Sequence, residues 1–267
     1  MERHGSLPMA IGAIKSFLSF CPAPFAVVIH DGGGLDRDDV ALVARHLPGA
    51  RVVLAGEATP TIAEALRGMG LTRCVRWREE LPYARKILDM VHYGAGATTL
   101  YLDSDVLCHA RPNRLLESLT ASPFVERFNE GAHTFYPYSL PMASLDEELG
   151  RPMVPFFNAG LVVFRRSPAV SWPRYERWLA LPHTAAGMVE QTMSAMDATL
   201  NGCEALPPWY DAGARYARDG HSIVTQHYLQ LRQPHLSVDF SRAVAPRLRG
   251  KTAPDTLSLG IRVGGEV

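Results

Sequence analysis

Hydrophobic positions in the first half of the chain follow two alternating patterns. Between short apolar runs, hydrophobic residues recur at three- and four-residue spacing, which predicts amphipathic helices. The runs themselves are continuous and bounded by turn residues, which is typical of strands buried on both faces. Strands are expected at 25–29, 51–55 and 100–102, and helices over 9–20, after an N-cap at Asp36, from Thr59-Pro60 and from Pro82. This alternation predicts an α/β fold with a mixed, mostly parallel sheet and helices on both faces.

The second half of the chain is less regular. The stretch 135–155 is rich in Pro, Tyr and Ser, which predicts a long loop over the site. Gly202 is well placed to end a helix. Strands are predicted at 124–128, 161–164 and 222–225, and helices at 173–181 and 188–200.

Composition narrows the functional classes. The chain has 267 residues, 47% of them hydrophobic, which suits one large domain with a sizeable core. Acidic and basic residues balance at 27 each, so nothing in the net charge indicates a nucleic acid or an acidic membrane as partner. The four cysteines form no Cys-x-x-Cys pair, which disfavours a zinc ribbon and suits buried thiols in a reducing compartment. No apolar run approaches the roughly 20 residues of a membrane span, and we expect a soluble cytoplasmic protein.

A pair of acids ends the predicted strand at 100–102. Asp103 and Asp105 are separated by Ser104, and alternate side chains of an extended chain point to the same side. Two neighbouring carboxylates repel each other unless a positive charge lies between them. Oxygen ligands suit the hard cations magnesium and manganese. The alternative is a simple turn, because Asp favours turns.

A second polar segment, His30-Asp31-Gly32, ends the strand predicted at 25–29. In parallel α/β sheets, ligands bind beyond the carboxyl ends of the strands. One crevice is therefore expected to contain both Asp31 and the Asp-x-Asp pair. A glycine-rich turn is the alternative for this segment.

The order of these landmarks resembles the A-type (GT-A) glycosyltransferases, and among them bacterial enzymes related to family 8. Residues 102–107, Leu-Asp-Ser-Asp-Val-Leu, match the metal-binding Asp-x-Asp of that family. Residues 157–162, Phe-Asn-Ala-Gly-Leu-Val, match its Phe-Asn-(Ala/Ser)-Gly strand entry. Residues 226–228 stand where the family has a late histidine, and 190–191 look like its acid-Gln pair. The resemblance covers about 10–235 of the chain.

The resemblance implies a Rossmann-like GT-A domain over 1–267. Its nucleotide-binding half would be 1–110 and its acceptor and donor-sugar half 111–240, followed by a tail at 241–267. The implied activity is transfer of a sugar from a nucleoside diphosphate sugar, with uridine as the base, to a saccharide or small-molecule acceptor. The implied cofactor is Mn²⁺, or Mg²⁺.

The resemblance also assigns roles to single residues. Asp103, Asp105 and His227 would bind the metal, and Ser104 would lie among the nucleotide-sugar contacts. Asp31 would receive the uracil ring, Lys86 would reach the phosphates and Asn158 would bond the donor sugar. Gln191 would lie under the anomeric carbon of a retaining enzyme, whereas Glu190 or Asp211 as general base would make it inverting.

A role that involves no ligand is the alternative for three of these residues. His227 could be a satisfied polar residue, Lys86 a solvated lysine and Asn158 a residue of a left-handed turn.

Two departures from the family are visible. The strand that normally precedes the first helix is missing, and 229–235 replace a Gly followed by a Lys-Pro-Trp segment. Two other classes therefore stay open. One is a phosphohydrolase or nucleotidyltransferase that uses the Asp-x-Asp site, although Leu107 does not suit a haloacid-type hydrolase. The other is a non-catalytic module that binds a sugar nucleotide.

Overall fold

The computed structural model describes residues 6–21, 25–95, 97–131, 136–211, 223–228 and 259–263. Its α-helices are α1 Ser6–Leu18, α2 Arg37–His46, α3 Ala55–Gly68, α4 Thr72–Glu80, α5 Pro82–Tyr93, α6 Asn113–Thr120, α7 Met142–Leu149, α8 Pro168–Trp178 and α9 Val189–Asn201. Its strands are β1 Val27–Asp31, β2 Arg51–Val53, β3 Thr99–Asp103, β4 Val106–Cys108, β5 Glu126–Glu130, β6 Phe157–Phe164, β7 Cys203–Ala205, β8 Tyr210–Asp211, β9 Thr225–His227 and β10 Leu259–Val263.

The main sheet of the described residues has seven strands in the order β2-β1-β10-β3-β6-β5-β7. Four of its six strand pairings are parallel, and the two pairings of β6 are antiparallel. Strands β4, β9 and β8 form a second, small sheet beside it. The prediction of a mixed α/β sheet is confirmed for this part of the chain.

Two hydrophobic clusters lie on opposite faces of the main sheet. Along β3, Leu100 and Leu102 pack into the cluster that contains α1 and α2, whereas Tyr101 packs into the cluster that contains α3, α5 and α9. All eight residues of β6 are buried, as expected for a strand covered on both sides. Helices therefore cover both faces, as predicted. Among the described helices, none is long and apolar enough to cross a membrane.

Several predicted boundaries are confirmed. Asp36 is the N-cap of α2, where its side chain accepts hydrogen bonds from the N–H groups of Asp38 and Asp39 in a capping box. Pro82 opens α5, and α9 ends at Gly202 with a φ of 82°. Local sequence signals set these boundaries, which explains why they could be predicted.

Other boundaries were predicted wrongly. Helix α3 begins at Ala55 and carries Pro60 inside it, and α8 begins at Pro168 with Pro173 inside it. The predicted loop at 135–155 contains helix α7, whose residues Leu145 and Leu149 are buried. Helix α4 was not predicted, because its charged sequence hides the apolar face formed by Cys74 and Trp77. The late strand β9 includes His227, which was expected to follow it.

Residues 259–263, assigned to a tail from the sequence, form strand β10 in the middle of the sheet. It pairs in parallel with β1 on one side and with β3 on the other. The register places Arg262 opposite both His30 and Asp103. Because β1, β10 and β3 run in parallel, their carboxyl ends lie along one edge of the sheet.

Candidate metal centre

The two predicted acidic ligands lie where β3 passes into β4. Asp103 is the last residue of β3, and Ser104 and Asp105 form the turn before β4. Strand β4 pairs antiparallel with β9, with Val106 opposite His227. The backbone N–H of Tyr228 donates to the carbonyl oxygen of Asp105 at 2.8 Å. This pairing brings His227 from the far end of the chain against the acidic pair.

The side chains of Asp103, Asp105 and His227 form one compact cluster. Nε2 of His227 is 3.0 Å from a carboxylate oxygen of Asp105 and 3.8 Å from one of Asp103. One ligand atom from each residue lies within 4.8 Å of the others. His227 is buried, whereas the side chains of Asp103 and Asp105 are 23% and 16% exposed. Two carboxylate oxygens and one imidazole nitrogen could together hold a divalent metal ion.

Asp103 is held in its charged form by its neighbours. Burial alone would raise its pKa, but Nζ of Lys86 at 3.1 Å, His227 and a hydrogen bond from the hydroxyl of Tyr101 together lower the pKa below its usual value. A carboxylate that stays ionised is a competent ligand for a hard cation. Tyr101 was not predicted as a site residue, although its place two residues before Asp103 on the same strand face was readable from the alternation.

The pKa of His227 is shifted upwards, opposite to the shift of Asp103. Burial would lower its pKa, but the carboxylate and hydrogen bond of Asp105, together with Asp103, raise the pKa of the imidazole above its ordinary value. The two carboxylates near Nε2 therefore favour the protonated form of the metal-free ring. A divalent cation would replace the proton on this ring.

Lys86 contacts Asp103, one member of the acidic pair. Its Nζ is 3.1 Å from Asp103, 3.7 Å from Glu190 and 4.7 Å from the centre of the Tyr101 ring. The alternative of a solvated lysine is wrong, because the side chain is only 10% exposed. A small pocket borders Lys86, Tyr101, Glu190 and Ser194. Glu190, the second residue of α9, is thus part of the charged layer next to the cluster.

Asn158 contacts His227, the histidine of the Asp103-Asp105-His227 cluster. It lies inside β6, which excludes the left-handed turn considered for it, and its Oδ1 is 3.2 Å from Nδ1 of His227. Gly160 was missed as a site residue. A Cβ at Gly160 would lie 2.4 Å from Cε1 of His227, so only glycine leaves room for this ring. The signal was present in the Phe-Asn-Ala-Gly motif, but the sequence did not show what the glycine faces.

Gln191 joins two segments beside the cluster. Its Oε1 accepts the N–H of Ala159 at 3.3 Å, and its Nε2 donates to the carbonyl oxygen of Pro137 at 3.0 Å. The side-chain amide thereby ties α9 to β6 and to the chain at 136–140. The role of Gln191 under a donor sugar stays a prediction.

The carboxylate of Asp31 accepts hydrogen bonds from four backbone N–H groups. Its Oδ1 accepts the N–H groups of Gly33, Gly34 and Leu35, and its Oδ2 accepts that of Ala55 at 3.1 Å. These contacts match the glycine-rich turn considered from the sequence. The uracil contact stays a prediction.

Two further predictions lie partly or wholly outside the description. The backbone of Asp211 lies in β8, opposite Gln226 of β9, but its side chain is outside the described residues. The segment 229–235 also lies outside them.

Comparisons with models of known protein families, with curated proteins and with solved structures found no match. What this site can bind must therefore be inferred from its own residues. Those residues offer three ligand atoms for a cation, a buried lysine and a layer of amide groups at the carboxyl end of a central strand.

Proposed function

We propose that this protein is a divalent-cation-dependent glycosyltransferase of the GT-A type. It would move a sugar from a uridine diphosphate sugar to a saccharide or small-molecule acceptor. The observation that carries this proposal is the convergence of Asp103, Asp105 and His227. The cluster lies beyond the carboxyl end of β3, where open α/β sheets bind their ligands.

The chemistry of the leaving group explains the need for these residues. A nucleoside diphosphate leaves with negative charge, and a cation held by Asp103, Asp105 and His227 would neutralise that charge. Lys86 adds a fixed positive charge 3.1 Å from Asp103, and its pairing with Glu190 keeps the ammonium group in place.

The amide groups beside the cluster favour a retaining reaction. Gln191 is held by hydrogen bonds at both ends of its amide, so its position is defined before a substrate binds. Glu190 is paired with Lys86 and is 9% exposed, which disfavours it as a general base for an acceptor hydroxyl. We therefore propose Gln191 as the residue nearest the anomeric carbon.

The first test is metal and nucleotide binding by calorimetry. Wild-type protein is expected to bind Mn²⁺, and UDP only with Mn²⁺ present. Asp105→Asn removes one ligand charge with little change in shape, and we expect at least tenfold weaker Mn²⁺ binding. Asp38→Asn, at an exposed aspartate of α2, is the matched control and should bind Mn²⁺ like wild type.

Donor turnover separates the open classes of function. A panel of nucleotide sugars is incubated with the protein and Mn²⁺, and UDP release is measured together with the anomer of the sugar product. Turnover of one nucleotide sugar that is lost in Asp105→Asn supports the transferase. Binding of UDP without turnover would indicate a binding module, and release of inorganic phosphate would indicate a phosphohydrolase. Full Mn²⁺ affinity in Asp105→Asn would overturn the metal centre itself.

A further inference from the structure

The side-chain amide of Asn158 has an orientation fixed by the backbone. The N–H of Gly160 donates to Oδ1 of Asn158 at 2.9 Å. A backbone N–H can bond only to an acceptor, so the atom at this position must be the amide oxygen and not the nitrogen. The same Oδ1 is 3.2 Å from Nδ1 of His227. The backbone of β6 thus decides which Asn158 atom faces the histidine.

From this contact we infer that Asn158 is a positioning residue that sets the tautomer of His227. An amide oxygen only accepts hydrogen bonds, so this contact requires a hydrogen on Nδ1 of His227. Nε2, the nitrogen that faces Asp105 at 3.0 Å and Asp103 at 3.8 Å, donates to these carboxylates when it carries a proton. A divalent cation held by the carboxylates would displace that proton, and the ring would then keep its hydrogen on Nδ1 and offer the lone pair of Nε2 to the cation. The inference rests on the proposed metal centre and names the group that aims its nitrogen ligand.

Gly160 completes this arrangement by leaving the space for the ring. A Cβ at residue 160 would lie 2.4 Å from Cε1 of His227, 2.6 Å from its Nδ1 and 2.9 Å from Oδ1 of Asn158. Real Cβ atoms do not approach other atoms so closely, and His227 is buried between strands. Asn158 and Gly160 therefore act together, the first on the tautomer of the ring and the second on its position.

The tautomer can be measured on wild-type protein saturated with Mg²⁺, which is diamagnetic and therefore suits NMR. Long-range ¹H–¹⁵N NMR distinguishes which ring nitrogen carries hydrogen. The His227 signals are identified by their absence in His227→Gln. We expect hydrogen on Nδ1 and none on Nε2 in the Mg²⁺-bound wild type. Hydrogen on Nε2 with a bare Nδ1 in this state would overturn the inference without the need for any Asn158 variant to fold.

Substitutions test the consequence for metal binding. Asn158→Ala removes the acceptor for Nδ1–H, so nothing opposes the pull of Asp105 on a hydrogen at Nε2, and we expect Mn²⁺ binding weakened by about 10- to 100-fold. Asn158→Asp keeps an oxygen at the same place and should keep the Nδ1–H form and bind Mn²⁺ at least as tightly as wild type. Asn129→Ala is the matched control, since Asn129 is buried, pairs with Asn158 across β5 and β6, and makes no side-chain hydrogen bond among the described residues. It should leave Mn²⁺ affinity unchanged.

Gly160→Ala provides an independent test of the space for the ring. We expect at least tenfold weaker Mn²⁺ binding, whereas Gly56→Ala, where no atom lies within 4 Å of the added Cβ, should bind like wild type. If wild type binds Mn²⁺ and Asn158→Ala keeps full affinity, the inference is wrong and the metal centre stands. If wild type binds neither Mn²⁺ nor Mg²⁺, the proposed metal centre is wrong, and the inference that rests on it is overturned with it.

Discussion

At the scale of single residues, most of the acidic charge of the candidate centre is opposed before any cation binds. Three acids, Asp103, Asp105 and Glu190, face two groups that can carry positive charge, Lys86 and His227. This pairing helps the three acids to lie together in a largely buried region, where unpaired charge is costly. It also means that a divalent cation competes with the proton of His227 for the same carboxylates.

This competition predicts opposite effects of pH on stability and on metal binding. The pKa of His227 is raised in the folded protein by Asp105 and Asp103 against the effect of burial. Its contribution to stability is therefore full below the unfolded value of about 6.5 and is lost as pH rises through the raised folded value. Mn²⁺ needs the deprotonated ring, so its affinity should rise about tenfold per pH unit up to that same value.

Thermal unfolding in a chelating buffer and calorimetry with Mn²⁺, both over pH 6 to about 9, check the two trends. His227→Gln should remove the fall in metal-free stability that begins at about pH 6.5, while His46→Gln, at an exposed histidine, should keep it. Metal affinity that does not change over this range would show that no proton is displaced from His227.

At the scale of elements, helix starts that depend on neighbouring residues were predicted from the sequence, whereas a start that depends on a residue from another element was not. The capping box of Asp36 and the proline at the start of α5 are local, and both predictions are confirmed. Helix α3 was placed to begin at Thr59, but it begins at Ala55, whose N–H donates to Asp31 on β1. A cap supplied by a residue from another element leaves no local signal.

Asp31 therefore offers a test of a structural role against a binding role. Its carboxylate accepts four backbone N–H groups that join the β1–α2 turn to the start of α3. We expect Asp31→Ala to lower the free energy of unfolding by about 2 kcal/mol, measured in urea, because these donors lose their acceptor. Asp38→Ala, at an exposed aspartate without these contacts, is the control. Unchanged stability with weaker UDP binding would instead favour the uracil contact predicted from the sequence.

At the scale of the whole molecule, the sequence predicted the layers but not the strand neighbours. Alternating apolar runs and amphipathic stretches were enough to predict a mixed sheet with helices on both faces. The pairing of β4 with β9, which brings His227 to the acidic pair, joins distant parts of the chain. Only the resemblance pointed to His227, because pairing between distant strands is decided by the packing of the whole fold and not by local pattern.

Strand β10 is the clearest case of such a long-range choice, and it carries a prediction of its own. It lies between β1 and β3, and Ile261 at its centre is opposite Ile29 on one side and Leu102 on the other, so its N–H faces a ladder. Ile261→Pro removes this donor in the middle of the sheet and forces the strand out of its ladder. We expect a loss of about 3 kcal/mol or more in the free energy of unfolding, measured in urea, together with weaker Mn²⁺ binding, because β10 positions β3.

The matched control for this variant is a proline at the edge of the same sheet. Among the described strands, β7 pairs only with β5, and it is the N–H of Leu206, not of Ala205, that donates to Phe128. Ala205→Pro therefore removes an N–H that faces away from the ladder and should cost much less stability than Ile261→Pro. An equal cost for the two variants would mean that residues 259–263 do not form a central strand. In that case the edge that holds Asp103 would be built without them.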